Sequence, residues 1–160
     1  MPLVGDIWEG YKSTEFINRI ADVDSPGITR VTGLNEGMYD TIEQPNGGGT
    51  HIHKVSSTKV KFDTLTIERR VDGSPEDERW LTWWRETFFL SQNISQGSRI
   101  RRSGVIIKFD NGTPVLAFLF ENGWIKSSKF SDLEAGSDSF MTQTIEIEHE
   151  GLERIPPPLQ

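Results

Sequence analysis

The sequence predicts a mainly β fold: an antiparallel β-barrel or sandwich with one α-helix packed on it. Three observations carry that expectation. Asn111-Gly112 stands between two apolar-rich runs, and Asn-Gly supplies the positive φ values of a two-residue type I′ hairpin turn. Near the C-terminus Met141, Ile145 and Ile147 fall on one parity and Thr142, Thr144, Glu146 and Glu148 on the other, the alternation of a strand with one face inside. A single segment places Trp80, Trp83, Trp84 and Phe88 at helical spacing.

Taken in order, Glu15 to Ile20 reads as a first regular element, helix or strand, running into the turn cluster Asp24-Ser-Pro-Gly27. Ile28 to Leu34 and Met38 to Glu43 read as short strands joined tightly through Asn35-Glu-Gly37. Gln44 to Gly49 reads as a mobile loop, because three successive glycines carry a high entropy cost when ordered. Lys59 to Arg70 reads as one long strand with a fault. Val60 and Phe62 share one parity while Leu65 and Ile67 share the other, so a bulge, a bend or a change of packing layer is expected near Asp63-Thr64.

Ser74 and Pro75 suit the start of the helix, and Glu76 and Asp77 suit the positive end of its dipole. The stretch from Ser91 to Ser98 reads as a polar loop. Ile100 to Asp110 and Val115 to Glu121 form the Asn-Gly hairpin, and Lys126 to Asp138 is too rich in Ser, Asp and Gly to be regular. Residues 1–160 form one domain on this reading, with a core of about 15–152 and an extended Pro-rich tail over 153–160.

Composition excludes several classes. The 160 residues lack Cys, which removes disulfides, thiol catalysis and Cys-based zinc sites. A net charge of −7 argues against a nucleic-acid-binding face and suits solubility, or a surface past which a polyanion slides. No apolar run reaches the length of a bilayer span, and Met1 to Gly10 lacks the pattern of a signal peptide, so membrane insertion is not expected.

The chemistry-bearing groups are sparse. His51 and His53 are two apart and would share one face of a strand, but His149 is remote and no third zinc ligand is evident. Glu146 and Glu148 resemble a glycosidase pair only by proximity, and such neighbours usually share a solvated strand face. Gly47, Gly48 and Gly49 lack the Lys-Ser/Thr of a phosphate cradle. Arg99, Arg101 and Arg102 form the one basic cluster, suited to a solvated strand end or an ion pair between subunits. No catalytic residue, metal or cofactor is expected.

The order of segments resembles the phage tail-tube family: contractile phage tail tubes and the inner tubes of phage-like injection systems. The resemblance rests on Val31-Thr-Gly-Leu34, Tyr39 to Glu43, Lys61 to Arg70, the Trp helix, Asn122-Gly-Trp124 and the closing Glu146-Ile-Glu-His-Glu-Gly-Leu152. It spans roughly Phe16 to Leu152, with departures at Val55 to Thr58 and at Ile125.

That resemblance implies a structural subunit. Six copies would form a ring, and rings would stack into a tube that conducts DNA or effector proteins. The implied partners are further copies of the chain, a contractile sheath, baseplate and tail-terminator proteins, and passing cargo. The implied location is a virion tail or injection particle assembled in the bacterial cytoplasm. Asn46, Gly47, Gly48, Gly49, His51, His53 and Lys54 would belong to the ring-stacking loop, and Glu146 and Glu148 would face the lumen. A baseplate tube-initiator ring and a type VI-like tube protein are alternatives within the class. A carbohydrate-binding β-sandwich, with Trp80, Trp83 and Trp84 as an exposed platform, is the alternative outside it.

Overall fold

The computed structural model describes residues 10–20, 23–25, 27–45, 47–49, 52–90 and 101–157, with 23 and 88–90 described by backbone alone. In chain order the elements are β1 (Phe16–Ile20), β2 (Val23–Ser25), β3 (Ile28–Thr32), β4 (Met38–Pro45), β5 (Ile52–Lys61) and β6 (Leu65–Arg70). They continue with α1 (Pro75–Leu90), β7 (Arg102–Asp110), β8 (Thr113–Phe130), β9 (Thr142–Glu148) and β10 (Gly151–Ile155).

All strand pairs are antiparallel. The main sheet runs β2-β1-β7-β8-β9-β6-β3 with β10 also on β8, and β4 and β5 form a separate two-stranded sheet. This path is open, with β2 and β3 at its ends, so the sheet does not close into the barrel that was one form of the expectation. β8 organises it. Ala117 to Glu121 pair with β10, the part from Thr113 to Gly123 pairs with β7, and Trp124 to Phe130 pair with β9. The change of partner falls at Asn122, whose φ of 51° marks a local kink in the strand.

The Asn111-Gly112 turn forms as expected, with φ values of 50° and 81° and Asp110 opposite Thr113. β9 alternates as expected too, with Ile145 and Ile147 inside. Gln143 shares that buried face, because its amide donates to Ser128 Oγ and its carbonyl accepts from Arg69. The parity fault also has its structural counterpart. Pairing stops over 62–64, Val60 remains in the separate β4–β5 hairpin, and Leu65 and Ile67 enter the core of the main sheet. The single long strand is therefore two strands that belong to different layers.

α1 begins where the sequence places it. Ser74 offers its carbonyl to the amides of Asp77 and Glu78, while its own N–H is held by Asp72 Oδ1 at 3.0 Å. The hydrogen bonds from Ser74 hold the Asp72 carboxyl below its ordinary value. Trp80 and Trp83 join a core shared with Leu65, Ile67, Ile106, Phe120, Ile125, Ile145, Ile147 and Leu152, and Trp84 packs on it half-buried. Each fully buried apolar side chain of this size contributes roughly 1.5–3 kcal/mol. Burial of Trp80 and Trp83 removes the exposed aromatic platform that a carbohydrate module needs. Phe88 lies where only the backbone is described.

Four expectations are corrected. Asn35-Glu-Gly37 does not close a hairpin, since β3 pairs with β6 and β4 with β5. Gln44 and Pro45 end β4 and β5 begins at Ile52, so the connection starts later than Gln44 and the strand expected from Lys59 starts well before it. Lys126 to Phe130 continue β8, held by the pairing of Ser127 to Phe130 with β9. Glu153 to Ile155 lie in β10 against β8, so the extended tail starts later than residue 153.

Candidate assembly surface

The β4–β5 hairpin stands apart from the main sheet and carries apolar residues that its own chain leaves exposed. Met38, Tyr39, Ile42, Ile52, Val55 and Val60 are between 42% and 61% exposed. Alternation along β4 puts Tyr39 and Pro45 on one face and Met38 and Ile42 on the other. Their cross-strand partners, Val60 and Ile52 on the first face and Val55 on the second, extend both stripes. A two-stranded ribbon is marginal by itself in water, and an apolar surface on both of its faces calls for a covering partner on each. Two cross-strand ion pairs brace it, Lys61 to Asp40 at 2.7 Å and Lys54 to Glu43 at 4.0 Å.

Of the residues expected to stack rings, Gly47, Gly48 and Gly49 occupy the hairpin tip, with Gly48 at φ 88°. His53 and Lys54 lie on β5 opposite Gln44 and Glu43. Asn46 and His51 lie outside the described residues, as does Arg99. Among the described residues no group of three His, Asp or Glu is placed to hold a metal ion.

Glu146 and Glu148 occupy the outward face of β9; Glu146 lies opposite Thr66 on β6 and Ser127 on β8, and Glu148 lies opposite Trp124 on β8. Glu148 is engaged within its own chain. Thr64 Oγ1 donates to Glu148 Oε1 at 2.6 Å and Lys126 Nζ lies 3.2 Å from the same oxygen. The Thr64 hydrogen bond, then the Lys126 ammonium, hold the Glu148 carboxyl below its ordinary value. Two members of the arginine cluster are satisfied within the chain as well. Arg101 pairs with Glu150 at 2.6 Å, and Arg102 pairs with Glu86 at 2.7 Å while lying over the Trp83 ring.

Sequence reasoning missed the apolar hairpin faces. Their signal was present in Ile42, read within a short strand, and in Ile52 and Val55, which follow the glycine-rich loop. It also missed Arg69, only 1% exposed, whose guanidinium meets Asp77 at 2.5 Å and Gln143 at 2.8 Å beneath the start of α1.

Residues 12–153 match the family described as T4-like virus tail tube protein gp19. The chain belongs to that tail tube family. Its function is accordingly that of a structural tube subunit. Solved structures with the same fold include the PVC sheath–tube complex of an extracellular contractile injection system in its extended state. There the TM-score is 0.71 at 19% identity, covering 92% of this chain and 92% of that one. The tube-terminating cap of the anti-feeding prophage gives 0.73 at 17% identity over 98% and 99%. Hcp1 from Flavobacterium johnsoniae gives 0.51 at 19% identity over 88% and 94%. Among curated proteins none matches the chain. Among the described residues of this tail tube protein, no helix is long and apolar enough to cross a membrane.

Proposed function

We propose that six copies of this tail tube subunit close a ring, and that rings stack through the β4–β5 hairpin into the inner tube of a contractile tail or injection particle. The observation that carries this reading is the hairpin itself, with apolar residues on both faces that stay about half exposed among the described residues. A second copy supplies the missing cover. The outward face of β9, with Glu146 and Glu148, lines the channel through which DNA or effector proteins pass. A contractile sheath surrounds the tube, and baseplate and terminator proteins end it, as the sheath–tube, baseplate and cap assemblies with the same fold suggest. The whole chain acts as one domain, and assembly takes place in the bacterial cytoplasm.

The test is deletion within Gly47 to Gly49, read by electron microscopy of the purified protein. Single rings without long tubes are expected; tubes of ordinary length would overturn the hairpin's role. Replacing Glu146 and Glu148 with Gln tests the channel assignment, which requires ring formation to be unchanged. A second reading, a ring that starts or ends the tube, draws on the tube terminator, matched at a TM-score of 0.74. A protein that forms rings but never extends them, even at high concentration and with its hairpin intact, belongs to that class.

A further inference from the structure

The hairpin leaves the body through two links, residues 33–37 before β4 and 62–64 after β5. Side chains tie these links to each other and to the junction between β9 and β10. Asn35 Nδ2 donates to Asp63 Oδ2 at 3.0 Å, Thr64 Oγ1 donates to Glu148, and His149 Nε2 lies 3.0 Å from the Asp63 carbonyl oxygen. We propose that His149 is a proton-operated latch, holding the hairpin root to the body at neutral pH and releasing it in mild acid.

A carbonyl oxygen only accepts, so the Nε2 facing Asp63 must carry the hydrogen. The neutral ring therefore keeps its lone pair on Nδ1. That Nδ1 is shielded from solvent and has no hydrogen-bond partner among the described residues. The ring sits beside Phe62 and Phe120, with centroids 5.7 Å and 6.4 Å away. A second ring proton would be a buried N–H with nothing to accept it, which is unfavourable. Turning the ring outward solvates Nδ1 and breaks the bond to Asp63.

The charged groups on the surrounding segments do not remove this conflict. The acidic groups on these segments are Asp63 on the link, Glu148 and Glu150 around the β9–β10 junction and Glu121 on β8, and none accepts from Nδ1 in the latched geometry. Lys126 and Arg101 partly neutralise this acidic surrounding through Glu148 and Glu150. Glu148 stays ionised through the range in which imidazoles titrate, because its carboxyl is held below the ordinary value. The Thr64 contact thus survives the mild acid that opens the His149 contact, and the two act in separate pH windows.

The test is amide hydrogen exchange on the full chain, dispersed at low concentration so that hairpin stacking plays no part. Rates are corrected for intrinsic exchange at about pH 7.5 and about pH 5, either side of the imidazole range. Amides over 59–66 are expected to exchange about tenfold faster in acid, the size of one lost hydrogen bond, while β9 amides hold their protection. His149→Gln keeps a donor at the Nε2 position but does not titrate, and should be slow at both values. Glu148→Gln should retain the wild-type response. Equal protection at the two pH values, an equal loss in β9, or a response that survives in His149→Gln or vanishes in Glu148→Gln would overturn the latch. Nitrogen NMR of the wild type checks it without substitution: a neutral ring protonated on Nδ1 rather than Nε2 would also overturn it.

Discussion

Gly33→Ala is the most informative single change at the hairpin root. Gly33 has φ 85°, and a Cβ placed there would lie 2.1 Å from the Thr64 carbonyl oxygen and 3.2 Å from Leu65 Cα. Two costs combine. The left-handed backbone costs a non-glycine residue about 1–2 kcal/mol. The overlap forces the Thr64 carbonyl to move, and Thr64 precedes the fully buried Leu65; overpacking of that kind costs about 1–3 kcal/mol. The sum is a loss of about 2–5 kcal/mol, equivalent to roughly 4–20 °C in Tm for a domain of this size. Gly136 supplies the control, with the same φ of 85° but nothing within 4 Å of its Cβ position. Gly136→Ala should therefore lose only the backbone part. Urea unfolding of the dispersed protein, followed by fluorescence of the buried Trp80 and Trp83, measures both. If Gly33→Ala loses no more than Gly136→Ala, the close approach of the two links is not a constraint on the fold.

Three further outcomes are expected in the same assay. Trp83→Ala should cost about 3–5 kcal/mol, since Trp83 is 1% exposed at the centre of the helix–sheet contact. Asp77→Ala should cost a similar 3–5 kcal/mol by leaving the buried Arg69 guanidinium without its counter-charge, whereas Arg69→Met should cost less, because a flexible apolar chain replaces the ion in the same space; equal losses would show that the pair is not a buried charge problem. Thr64→Val should cost about 1 kcal/mol at neutral pH. Because Glu148 has a lowered folded pKa, its contribution is complete above the ordinary carboxylate value and is lost as pH falls through the folded value. Thr64→Val should therefore show a shallower loss of stability on acidification than the wild type.

What was legible in the sequence was whatever local chemistry decides. Asn111-Gly112 specifies its own turn, Ser74-Pro75 with Glu76 and Asp77 specifies a helix start, and the parity fault between Phe62 and Leu65 marks a break in regular alternation, which in the fold is a change from one sheet to the other rather than a bulge or a bend. The β4–β5 hairpin was only half legible. Its residues show no clean inside and outside, since neither face is buried within one copy. The glycines at its tip drew attention to a loop when the regular ladder on either side was the larger feature. Lys126 to Phe130 looked irregular by composition, but pairing with β9 decides their conformation, and that partner is distant in sequence. The glycine of the Val31-Thr-Gly-Leu34 segment was visible as part of a pattern. Its reason, a carbonyl from residue 64 pressed against its backbone, needs the third dimension.

β8 gives the subunit an internal load path. It is 18 residues long and shares hydrogen-bond ladders with β7, β10 and β9. A pull along its axis shears many bonds in parallel, whereas a pull across a hairpin opens them one after another. The strand at the join of the two halves of the sheet is thus also the strand hardest to draw out. A force entering at the Asn111 turn is passed sideways to β10 before it reaches the Asn122 kink, and to β9 beyond it. The kink therefore acts less as a weak point than as a place where tension changes lanes.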